Sequence, residues 1–117
     1  MRFLFVIQGE GRGHLTQAIS LAQILQAAGH EVVRAVVGLA ERRPIPAFFA
    51  EQFPAPYTPL ATPEMIYSPI TNHLRVGVTV GRAFGQLGTF RKSMRQLSET
   101  IQREQPDLVV NFFELLC

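Results

Sequence analysis

The hydrophobic pattern changes period twice within the first forty residues. Phe3-Leu4-Phe5-Val6-Ile7 is an unbroken apolar run stopped by Gly9, the mark of a strand buried on both faces. From Leu15 the spacing becomes three and four, through Ala18, Ile19, Ala22 and Leu25, which is the stripe of an amphipathic helix. Gly29 is placed to end that helix in the left-handed conformation. Glu31-Val32-Val33-Arg34-Ala35-Val36-Val37 is rich in β-branched residues and stops at Gly38, which predicts a second strand. A helical crossover of this length suits two parallel strands, and parallel sheets need helical cover.

Seven of the eight prolines fall between Pro44 and Pro69, and each denies its surroundings long regular structure. Only a short helix over 47–52 and a short strand over 57–61 fit there, with a long ordered loop over the rest. Val80, Ala83, Leu87, Phe90, Met94, Leu97 and Ile101 then predict one long helix, its apolar set within about 100° of arc. Arg91, Lys92, Arg95 and Arg103 lie outside that arc. Gly77, Gly81, Gly85 and Gly88 weaken the first turns by about 1 kcal/mol each. Pro106 stops the helix, and residues 107–113 predict a further strand. The expected fold is α/β: a Rossmann-like, mainly parallel, twisted sheet with helices on both faces. Residues 1–117 form a single domain in this reading. Because the chain ends on an apolar stretch just after a core strand, the domain is expected to be incomplete, the first part of a larger protein.

Composition narrows the picture. With 117 residues, 47% hydrophobic and 17% charged, the chain is long enough for one packed core and too apolar for a disordered tail. A formal charge of +2 gives no ground for a nucleic-acid partner. No run approaches eighteen apolar residues, and the opening apolar run is too short for a secretory signal. Cys117 is the lone cysteine, which rules out a disulfide framework and a structural zinc site built on several cysteines. A reduced, cytoplasmic setting is expected.

The chemistry concentrates in Gln8-Gly9-Glu10-Gly11-Arg12-Gly13-His14, between the first strand and the first helix. Alternating glycines let the backbone turn sharply and approach a ligand. The helix that follows offers unpaired N–H groups and the positive end of its dipole to an anion. The dinucleotide fingerprint requires glycine where His14 stands, and no acid closes the second strand to bind a ribose. No Gly-Lys-Ser/Thr follows either, so the phosphate-loop pattern fails. Gly11 and Gly13 are expected to be backbone-constrained and to line a ligand cleft. His14, at the positive end of a helix dipole that favours the neutral imidazole, is a candidate general base. The alternative is a helix cap, within a non-catalytic anion- or phosphate-binding module.

Gly9-Glu10-Gly11-Arg12-Gly13-His14, with Ala18, Leu21, Leu25 and Gly29-His30-Glu31-Val32, resembles the opening of GT-B glycosyltransferases. It is closest to the branch that contains the bacterial peptidoglycan-precursor N-acetylglucosaminyltransferase. The likeness is dense over residues 1 to 38 and returns between Pro106 and Glu114. It implies two Rossmann-like domains facing a cleft, with the acceptor on the N-terminal one. The nucleotide-sugar co-substrate would bind a C-terminal domain outside these residues. The reaction implied is metal-independent transfer of a hexosyl-type sugar to the hydroxyl of a small-molecule or lipid-linked acceptor, without a resident cofactor. On this resemblance His14 is the base or an acceptor contact, and Gly9, Glu10, Gly11, Arg12 and Gly13 bind substrate. Asn111 stands where some branches place an Asp that orients the His, with Glu114 three residues on. The 117-residue chain alone is expected to transfer no sugar.

Other signals have plainer readings. His30, after Gly29, reads as a helix C-cap, and His73 as surface loop. Arg75, Arg82, Arg91, Lys92 and Arg95 read as a solvated basic face, with peripheral contact to anionic lipid at the inner membrane surface as the functional alternative. The phenylalanines, including Phe48-Phe49 and Phe112-Phe113, read as core.

Overall fold

The computed structural model describes residues 1–40, 43–62 and 76–112. Along these the elements run β1 (Arg2–Gln8), α1 (Arg12–Ala27), β2 (Glu31–Leu39), α2 (Ala47–Gln52), β3 (Tyr57–Ala61), α3 (Val76–Gly85), α4 (Leu87–Glu104) and β4 (Leu108–Phe112). The strands form one sheet in the order β3-β2-β1-β4, and every pairing is parallel. The α/β, Rossmann-like expectation therefore holds, including the short helix and strand among the prolines. His73 and Glu114 lie outside the described residues.

β1 is central, which explains its unbroken apolar run. Phe3, Phe5 and Ile7 point to one face, where they pack with Leu15, Ala18, Ile19 and Ala22 of α1 and with Phe49 of α2. Leu4 and Val6 point to the other face and join Val33, Val36, Leu60 and Leu97 of α4. Burying a side chain of this size contributes about 1.5–3 kcal/mol, so the run from Phe3 to Ile7 holds both layers together. The proline of β3, Pro59, is tolerated because β3 is an edge strand.

α1 closes as its glycine predicts. Gly29 has φ +84°, its N–H donates to the Gln26 carbonyl, and the His30 N–H donates to that of Leu25. These two bonds make a Schellman motif. The capping role of His30 thus belongs to its backbone. Its ring instead lies 3.3 Å from the terminal amine through Nδ1 and edge-on to Phe3.

One irregularity in β2 decides where a charge goes. Phe3 lies opposite Val32, but Leu4 lies opposite Arg34, so Val33 is an extra residue in the ladder. Without it Arg34 would fall on the α1 face, inside the larger apolar cluster. The shift delivers Arg34 to the α4 face, where its Nε is 2.8 Å from Glu104 Oε1 and its terminal nitrogen donates to Thr58 Oγ1.

The C-terminal helical region departs from expectation in two ways. The single long helix is two, α3 and α4, interrupted at Gln86 with φ −101° and ψ 7°. Four glycines within twelve residues lower the cost of that break. The buried face is also rotated: Ser93, Leu97 and Thr100 are buried, whereas Val80, Leu87 and Met94 are 45%, 48% and 40% exposed. Polar anchors set this seat, since Ser93 Oγ donates to the Ala61 carbonyl at 2.8 Å and Glu104 holds Arg34. α4 ends on Gln105 in the left-handed region (φ 47°), just ahead of Pro106.

Candidate functional site

The sheet is wound in both directions from its centre. From β1 the chain passes through α1, over one face, to β2 on one side. It reaches β4 on the other side of β1 from α4, which covers the opposite face. In open α/β sheets ligands settle at the carboxyl end of the strands where the winding reverses, and the turn after β1 occupies that position.

Each glycine of the turn has its own reason. Gly9 is buried against β2 and donates to the Gly38 carbonyl at 2.7 Å. A Cβ on Gly9 would sit 2.5 Å from Leu39 Cδ2 and 2.8 Å from Val37 Cγ1, so the close approach excludes any side chain. Gly11 is the N-cap of α1 with φ +129°, and among the described residues no side chain caps the helix. Gly13 lies inside the first turn, where nothing stands within 4 Å of an added Cβ, and its φ is not positive. The expectation that Gly13 is constrained is therefore corrected: a glycine within the helix needs no special backbone there.

The side chains of the turn divide by exposure. Arg12 is exposed, and its guanidinium lies 5.0 Å from the Phe48 ring centroid, a cation–π contact worth about 0.5–1 kcal/mol at such a site. The short α2 helix thus reaches the edge of the site. Phe49 of the same helix is fully buried and stacks on Phe53 at 4.7 Å. Of the Phe48-Phe49 pair, then, Phe49 is core, and Phe48, half-buried against the same core, also supports a charge. Glu10 is half-buried, and its Oε1 is shut off from solvent with no hydrogen-bond partner among the described residues. His14 is also half-buried, and its Nδ1 is enclosed.

Gly9, Glu10, Gly11, Arg12, Gly13 and His14 are therefore brought together at one end of the sheet. Asn111 is in β4 opposite Val6, and paired residues of parallel strands share a face. Asn111 thus belongs to the α4 face, at an exposed position, while His14 lies in the first turn of the helix covering the other face. A cavity of about 230 Å³ lies elsewhere, between α4 and β3, lined by residues that include Thr58, Leu60, Gln96 and Arg103. Arg91, Lys92 and Arg95 are exposed on α4, and Arg95 pairs with Glu99 at 3.2 Å. Among the described residues no helix is long and apolar enough to cross a membrane.

Two features escaped the sequence reading. The Arg12–Phe48 contact joins residues whose nearness only the fold creates. The close approach of Gly9 to β2 is made against Val37, Gly38 and Leu39, and nothing local in the sequence signals it. Fold and turn together define a doubly wound α/β protein with a glycine-rich turn heading a helix at the switch point. No protein-family model, curated protein or solved structure matches the chain.

Proposed function

We propose that this chain is the acceptor-binding domain of a GT-B-type glycosyltransferase, with the nucleotide sugar bound by a second domain. The observation that carries the reading is the glycine turn at the switch point. It combines a first helical turn that, among the described residues, no side chain caps with an imidazole on the third helical residue. In this reading the acceptor lies over Gly9–Gly13, and His14 receives the proton of the attacking hydroxyl as the sugar–phosphate bond breaks. The nucleotide diphosphate departs from the donor side, so holding both substrates in one cleft supplies much of the rate. Exposed Val80, Phe84 and Leu87, with Arg91 and Lys92 close in sequence, support a peripheral contact with anionic headgroups for a lipid-linked acceptor.

The competing reading is a non-catalytic anion-binding module, favoured by the same uncapped turn together with exposed Arg12. Release of nucleotide diphosphate from a nucleotide sugar separates the two. The 117-residue chain alone should stay at background, whereas the chain joined to its donor domain should turn over. There His14→Ala should slow the chemical step by about 10²–10⁴-fold and leave donor affinity unchanged. His14→Gln should remain as poor as alanine if the imidazole takes the proton, and should recover much of the rate if it only positions the acceptor. Wild-type turnover in both variants would remove His14 from the chemistry.

A further inference from the structure

We draw no further inference here: the strongest candidate, the apolar surface that Val80 and Phe84 of α3 and Leu87 and Met94 of α4 leave exposed, belongs to the headgroup contact already proposed, and nothing in the structure shows what else covers it.

Discussion

Replacing Gly9 by alanine tests the close approach on which the whole turn depends. The added methyl would stand 2.5 Å from Leu39 Cδ2, 2.8 Å from Val37 Cγ1 and 2.9 Å from the Gly38 carbonyl oxygen, where carbon contacts normally settle near about 3.5–4.0 Å. Neither side chain can swing away, since Val37 is fully buried and Leu39 is 5% exposed. The carbonyl is held by the Gly9 N–H itself, so relief requires the β1 end to lift from β2. Overpacking of this kind costs about 1–3 kcal/mol, and weakening the backbone bond adds up to about 1 kcal/mol. A loss of about 3 kcal/mol is a large share of the roughly 6–17 kcal/mol expected for a domain of this size. It should lower the melting temperature by about 10–15 °C. Gly11→Ala should lose about 1–3 kcal/mol by a different route, backbone strain at positive φ in otherwise open space. Gly13→Ala should gain about 0.5–1 kcal/mol, because an alanine in a helix orders at lower entropic cost. Urea titrations of the three variants give the ranking directly. A Gly9→Ala protein with the wild-type midpoint, or a Gly13→Ala protein less stable than Gly9→Ala, would refute the reasoning.

The other expectations concern the back of the sheet and the rim of the turn. Removing one partner of the Arg34–Glu104 pair, by Arg34→Met or Glu104→Gln, should cost about 1–3 kcal/mol, because, among the described residues, Glu104 then keeps only the longer contact to exposed Arg103 at 3.4 Å and Arg34 only Thr58. Arg34→Met with wild-type stability would show that the bulge at Val33 places no useful charge. The hydrogen bond from Arg34 holds the Glu104 carboxyl below the usual glutamate range, against a smaller upward push from burial. Its stabilising contribution is therefore complete above about pH 4.3 and disappears as the pH falls through the lowered folded value. Glu104→Gln should lose that part of the acid sensitivity, and identical acid profiles for variant and wild type would count against it. A double-mutant cycle on Arg12→Ala and Phe48→Ala should give a coupling of about 0.5–1 kcal/mol; purely additive losses would mean the ring does not hold the guanidinium.

The sequence alone determined which segments become strands and helices wherever one period runs uninterrupted. Phe3–Ile7 had to be buried on both faces, the stripe from Leu15 to Leu25 had to lie on a sheet, and Gly29 had to end α1. Even the short elements among the prolines were legible, since proline limits their length as well as their position. Backbone sterics and hydrophobic burial act over neighbouring residues, so their outcome is written locally. Tertiary structure decided what depends on distant partners. It turned the buried face of α4 toward Ser93 on Ala61 and Glu104 on Arg34, which left Leu87 and Met94 exposed while Phe90, Leu97 and Ile101 stayed packed. It made Gly9 indispensable through β2 and left Gly13 free, although the two look alike in the chain. It also set Phe48 under Arg12 and enclosed an oxygen of Glu10. Each of these rests on packing and charge pairing between segments far apart in sequence, whose energies exist only once the sheet has brought them together.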